Sequence, residues 1–171
     1  MRDAPTLTFV LGGACSGKSR HAEAIVEACA PPWIYLATAQ AFDGEMSARI
    51  AQHRARRGQH WQTHEAPLDV ADFLAQVPDG RPLLMDCATL WLTNVMLAER
   101  DGDAECRRLV EALQKPRGPW VVVSNEVGSG IVPENALARR FADEAGRLNQ
   151  AIAARADTVL LMVAGIAMRV K

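Results

Sequence analysis

Near the start of the chain, Gly12-Gly13-Ala14-Cys15-Ser16-Gly17-Lys18-Ser19 fits the pattern G-x-x-x-x-G-K-[ST]. The chemistry of that pattern is phosphate binding. Its glycines let successive backbone N–H groups turn inward around phosphate oxygens, and a helix opening at the lysine adds partial positive charge. Lys18 is placed to reach the β- and γ-phosphates, and Ser19 to ligate Mg²⁺. The context agrees, because the apolar run Thr6-Leu11 precedes the loop and a helical pattern begins near Lys18. An acidic position further along the chain suits the same chemistry. Pro82-Leu83-Leu84-Met85-Asp86 reads as a buried strand ending in a carboxylate that can hold Mg²⁺ through water. Asp86 is also placed to cap the following helix, and the residues alone leave that second role open.

Asp43 to Arg57 reads as a basic helix with Asp43 as its N-cap. Its i, i+4 geometry puts Arg49, His53 and Arg56 or Arg57 along one face. Neighbouring cations disfavour imidazolium, so His53 is biased toward the neutral form that can act as a nucleophile. The same spacing also describes a solvated basic surface helix with an ordinary histidine. His60 and His64 flank Trp61 and raise the question of a metal. A fourth ligand is missing, and Gln62-Thr63 suits a short extended segment better than a helix, so no metal site is expected there. His21, inside the first helical segment, is expected to pack or face solvent.

These residues need elements to hold them. Strands are expected at Thr6-Leu11, Trp33-Ala37, Pro82-Met85, Pro119-Val123 and Thr158-Val163, each apolar on both faces as in a sheet covered by helices on both sides. Helical patterns fall at Lys18-Cys29, Asp43-Arg57, Leu68-Val77, Leu90-Glu99, Ala104-Lys115 and Glu134-Arg155. Such alternation predicts an α/β fold with a mainly parallel sheet, whose ligands bind at the carboxyl ends of the strands.

The chain has 171 residues, 49% of them hydrophobic and 23% charged, which is the composition of one globular domain spanning 1–171. Nineteen Lys+Arg against 20 Asp+Glu give a net charge of −1, so no global basic field holds nucleic acid or an anionic membrane. Phosphate binding must be local. Four cysteines without C-x-x-C spacing suggest a reducing, cytoplasmic setting. The apolar stretch Thr158 to Met168 is about half the length a membrane helix needs, and Met-Arg-Asp-Ala-Pro-Thr lacks the apolar core of a signal peptide.

Four blocks of residues together resemble the bifunctional adenosylcobinamide kinase / adenosylcobinamide-phosphate guanylyltransferase family of cobalamin biosynthesis. They are the loop Gly12 to Arg20; Glu45-Met46, Arg49-Ile50 and His53-Arg54 with Trp61, Thr63 and Glu65; Asp86-Cys87 and Thr89 with Thr93-Asn94; and Asn125-Glu126-Val127-Gly128, Gly130-Ile131-Val132-Pro133 with Gly146 and Asn149-Gln150. The resemblance implies a P-loop nucleotide-binding fold of the RecA type, assembled as a trimer. It also implies two activities: phosphorylation of adenosylcobinamide by ATP or GTP, then transfer of GMP from GTP through a guanylylated histidine to adenosylcobinamide phosphate. On this chain that histidine is His53. The resemblance further implies GTP contacts at Ala37, Thr38 and Ala39, at Arg54, Ala55, Arg56 and Arg57, at Glu65 and at Asp86. Glu65 can accept from the guanine N1–H and N2–H. Cys15 stands where the family's loop usually has arginine, and Ala142, Ala164 and Ala167 where arginine, serine and proline are common.

Glu126, on the loop after Pro119-Val123, is a candidate for contact with the corrinoid or for taking its hydroxyl proton, and equally a turn residue held by packing. A monofunctional P-loop kinase with a structural His53 is the alternative. A GTP-binding switch would need an Asn-Lys-x-Asp motif, and a DNA-dependent motor a basic patch with interleaved aromatics. The sequence shows neither.

Overall fold

Strands that are apolar on both faces must be covered twice, and the computed structural model meets that demand. It describes residues 6–40 and 44–171, without the side chains at positions 45, 46, 49, 52, 53 and 56. The elements run β1 (Thr6–Gly12), α1 (Lys18–Glu27), β2 (Trp33–Ala37), α2 (Gly44–Arg56), β3 (Trp61–Glu65), α3 (Val70–Gln76), β4 (Leu83–Asp86), α4 (Ala88–Leu97), α5 (Gly102–Leu113), β5 (Pro119–Asn125), α6 (Ala136–Arg155), β6 (Thr158–Val163) and β7 (Ile166–Arg169). Among the described residues the strands form one seven-stranded sheet in the order β3-β2-β4-β5-β1-β6-β7. All neighbours are parallel except β6 and β7.

Alternation along the strands sends side chains to two separate cores. Leu7, Phe9, Leu36, Met85 and Val122 face one side and pack with Leu74 of α3, Trp91 of α4, Leu109 of α5 and Ile152 of α6. Val10, Tyr35, Leu84, Val121 and Val123 face the other, against Ala22 and Val26 of α1. Phe9, Leu36, Leu83 and Met85 are completely buried, so truncating Phe9 to alanine would cost about 3–5 kcal/mol. Register then fixes the carboxyl edge. Glu65 pairs with Ala37, Ala37 with Asp86, and Asp86 with Val123, in one row across four strands.

Several boundaries differ from the sequence expectation, for local reasons. Gly12 ends β1 rather than opening the loop, because it continues the ladder opposite Asn125 and Met162. The helix after β4 starts at Ala88, two residues before the expected Leu90, because the Cys87 thiol caps it by accepting from Leu90 N at 3.4 Å. That cap also removes the capping role considered for Asp86. Asp101 and Asn135 cap α5 and α6 in the same way, accepting from Ala104 N at 3.0 Å and Leu137 N at 2.8 Å. Asp43, expected as the cap of α2, lies outside the described residues. The extended segment around Gln62-Thr63 is β3, the outermost strand beside β2.

β6 covers Thr158–Val163 as expected, but β7 (Ile166–Arg169) was not expected; the two strands are antiparallel and joined at Ala164-Gly165. Both turn residues have positive φ, 50° and 80°, the conformation of a tight hairpin. No helix among the described residues is long and apolar enough to cross a membrane.

Candidate nucleotide site

The phosphate loop is shaped by a few backbone positions. At Gly12 an added Cβ would lie 2.5 Å from Ser16 Oγ and 3.0 Å from Met162 Cβ, so no side chain fits. Gly17, at φ 89°, turns the chain into α1 as a cap without a side-chain hydrogen bond, and the first N–H groups of that helix have no side-chain acceptor from their cap. Cys15 adopts φ 55°, an uncommon conformation for a residue with a Cβ, and its thiol is exposed. Lys18 Nζ donates to Gly13 O at 2.8 Å and so curls over the loop. Two outside contacts steady the loop: Glu126 N donates to Gly12 O at 3.0 Å, and Gly165 N to Ser16 O at 3.1 Å.

Beside the loop lies a cavity of about 520 Å³. Lys18 and Ser19 line it from α1, Ala37 and Ala39 from the end of β2 and beyond, and Glu65 and Asp86 from the ends of β3 and β4. Arg54 and Arg57 line it from the end of α2. The phosphate loop and the basic helix, 35 residues apart between Lys18 and His53, therefore meet at one site. His53 belongs to α2, but its side chain and that of Arg56 lie outside the described residues. Ala55 is exposed and does not line the cavity.

Thr38 is fully buried and does not line the cavity. Its hydroxyl donates to Cys87 O at 2.7 Å and accepts from Cys87 N at 2.8 Å, which ties β2 to the end of β4. Asn94 of α4 donates to Thr38 O at 2.7 Å and to Pro67 O at 2.9 Å, extending the tie past β3. A second buried chain fixes β5. Ser124 Oγ donates to Asn149 Oδ1 at 2.7 Å, and Asn125 N donates to Thr89 Oγ1 at 2.6 Å. Fully paired buried polar groups of this kind rigidify the ends of strands that carry a site.

Asp86 presents its carboxylate to the cavity and accepts from the Tyr35 hydroxyl at 3.1 Å. Glu65 pairs with Arg54 at 3.5 Å, but the two side chains are 71% and 61% exposed, so the pair adds little to stability. Burial, with the Asp86 charge second, pushes the Tyr35 hydroxyl well above the usual phenol range. The same two causes raise the Cys87 thiol to about 12. Glu126 sits beside Asn125 at the end of β5, and its carboxylate accepts from Gly128 N at 2.8 Å, closing a turn. His60 packs edge-on against Trp33, and His64 lies against Phe73 at 5.0 Å. Tyr35 and Asn125 also line the cavity and were missed from sequence, since each reads as an ordinary strand residue.

A P-loop that shares its cavity with a basic helix narrows the choice of family, and comparison with known proteins decides it. The family of cobinamide kinase / cobinamide phosphate guanyltransferase matches residues 8–170. The chain belongs to this family. The bifunctional adenosylcobalamin biosynthesis protein CobP of Pseudomonas aeruginosa is 50% identical over 95% of this chain and 96% of its own length. The bifunctional CobU proteins of Salmonella typhimurium and Escherichia coli are 44% and 40% identical, each over 96% of this chain and 99% of its own length. Family members are enzymes that join a kinase and a guanylyltransferase, and the monofunctional alternative is not favoured. The fold is that of the P-loop NTPases. It superposes on the RadB recombinase with a TM-score of 0.53 at 17% identity, covering 93% of this chain and 75% of that one. A type III secretion ATPase gives 0.52 at 16%, covering 92% of this chain and about half of that one, at 51%.

Proposed function

We propose that this enzyme carries out two transfers at the one nucleotide cavity. In the first, the aminopropanol hydroxyl of adenosylcobinamide attacks the γ-phosphorus of ATP or GTP. The bond to the β–γ bridging oxygen breaks, the nucleoside diphosphate leaves, and the hydroxyl proton passes to a base, for which Glu126 is the candidate. In the second, a ring nitrogen of His53 attacks the α-phosphorus of GTP and pyrophosphate leaves, so that GMP is held by a P–N bond. An oxygen of adenosylcobinamide phosphate then attacks that phosphorus. The P–N bond breaks, neutral imidazole returns, and adenosylcobinamide-GDP is formed.

The observation that best supports this reading is the shared lining: Lys18 and Ser19 of the phosphate loop in one cavity with Arg54 of the histidine helix and Arg57 just beyond its end. Cations on both sides stabilise charge on a transferring phosphoryl group and on departing pyrophosphate. The Ser19 hydroxyl and the Asp86 carboxylate are hard oxygen donors of the kind Mg²⁺ takes, and both line the cavity. Bound there, Mg²⁺ would supply charge neutralisation along the phosphates. Glu65, at the far strand end, would accept from guanine and select GTP for the second transfer. We also read residues 1–171 as one domain that assembles as a trimer in the cytoplasm. The exposed apolar side chains Ile131, Val132 and Leu137 favour such assembly.

The test is incubation with α-labelled GTP and Mg²⁺, with and without adenosylcobinamide phosphate. Label is expected to stay on the denatured protein, to survive base and to be lost in mild acid. His53→Ala should abolish labelling while keeping part of the kinase step, and Lys18→Ala should abolish both. Acid-labile label persisting in His53→Ala and lost in His60→Ala or His64→Ala would overturn the assignment of the nucleophile.

A further inference from the structure

We propose that Tyr35 is a positioning residue of this site, holding Asp86 with its hydroxyl and Arg57 with its ring face. The inference rests on the nucleotide reading above and adds a residue to it. Tyr35 points from β2 toward the α1 side of the sheet and is only 5% exposed. Its hydroxyl donates to Asp86 Oδ2 at 3.1 Å, and the Arg57 guanidinium carbon stands 3.4 Å from the centroid of its ring. One side chain therefore touches both the carboxylate assigned to the cation and a guanidinium assigned to the phosphates.

The ring is itself held. Trp61 packs edge-on against it with centroids 6.1 Å apart, and Trp61 Nε1 donates to Glu27 Oε1 of α1 at 2.9 Å. A fixed aromatic face attracts a guanidinium through its quadrupole but offers it no acceptor in the plane of its N–H groups. Arg57 shows the result. Its Nε and Nη1 are buried and have no hydrogen-bond partner among the described residues. Buried donors left open are costly unless a ligand fills them, and Arg57 lines the cavity. Nε–H and Nη1–H leave the guanidinium from different edges, so they call for separate acceptors, and the phosphate oxygens of the nucleotide are acceptors of that kind.

The two contacts separate in GTP binding measured by calorimetry, with Mg²⁺ and in EDTA, which needs neither corrinoid nor turnover. Tyr35→Phe keeps the ring and loses the hydroxyl, so GTP affinity in EDTA should match wild type while the gain on adding Mg²⁺ shrinks about tenfold. Tyr35→Leu loses the ring face, and affinity in EDTA should fall about tenfold as well. In an Arg57→Ala background the Leu substitution should cause no further loss in EDTA, because its effect runs through the guanidinium. A Phe variant with the full Mg²⁺ gain, or a Leu variant that binds like wild type or whose loss adds to that of Arg57→Ala, overturns the proposal. Thermal melting shows whether the Leu variant is folded; if it is not, the Phe variant decides by its Mg²⁺ response. Wild-type protein that failed to bind GTP would instead sink the nucleotide reading itself.

Discussion

The backbone N–H of Gly165 donates to the carbonyl oxygen of Ser16 at 3.1 Å, so the β6–β7 turn is bonded directly to the phosphate loop. That turn is strained on one side. Ala164 holds φ 50°, a conformation that costs a residue with a Cβ about 1–2 kcal/mol. Replacing it by asparagine, which tolerates this region, should raise Tm by about 2–4 °C per kcal/mol relieved. Gly165→Ala puts a Cβ at φ 80° and should lower Tm and weaken GTP binding together, since the turn is hydrogen-bonded to the loop. Melting curves and GTP titrations of the two variants check both directions; an unchanged GTP affinity in Gly165→Ala would uncouple the turn from the loop.

Asp86→Asn should raise the Mg²⁺ concentration needed for half-maximal activity by at least about tenfold, since a carboxylate ligand becomes a neutral amide. Stability should hardly change, because Cys87 rather than Asp86 caps α4. Activity against Mg²⁺ concentration, with melting as the control, tests this. A large fall in Tm with an unaltered Mg²⁺ response would count against the metal role.

Glu65→Gln should erode the preference for GTP over ATP in the guanylylation step by a factor of about 10–100, because an amide matches the guanine N–H donors less well. Competition between the two nucleotides for protein labelling measures it. The exposed pair with Arg54 means that fold stability should stay within about 0.5 kcal/mol.

The cysteines should differ sharply in reactivity. Cys87, raised to about 12 by burial, carries about one thiolate in ten thousand at about pH 8, and Cys106, raised to about 11, about one in a thousand. Cys15 is exposed on the phosphate loop. Iodoacetamide should therefore modify Cys15 first, and GTP should protect it; mass spectrometry of time points reads the order. Because burial raises the Cys87 thiol above its ordinary 9.0, its contribution to stability is complete below about pH 9 and is lost as pH climbs through about 12. Rapid modification of Cys87 in native protein would show that its surroundings open.

What could be read from the residues followed from how local each signal is. The loop from Gly12 to Ser19 carries its chemistry within one turn of chain, and Asp86 stands at the end of a short apolar run, so both were legible. The β6–β7 hairpin was not, because Ala164-Gly165 lacks the asparagine or aspartate that marks such turns and the apolar residues on either side run together. Tyr35 was invisible for a different reason. Its value lies in reaching Asp86, 51 positions away, and Arg57, on a separate element, and only the sheet order brings them together. Thr38 shows the converse: the family resemblance implied ligand contact there, whereas its hydroxyl is spent on both backbone groups of Cys87.

The pairing of Glu65 with Ala37 and of Ala37 with Asp86 makes the sheet edge a ruler. Two strand spacings, about 10 Å, separate the carboxylate proposed for the base from the carboxylate proposed for the cation, and hydrogen-bonded ladders do not stretch. A nucleotide lying along that edge is gauged by backbone geometry before any side chain acts. Under the proposed roles, redesign for another base is a matter of exchanging the head at Glu65 while leaving the interval alone, whereas a longer or shorter polyphosphate would demand a different strand order.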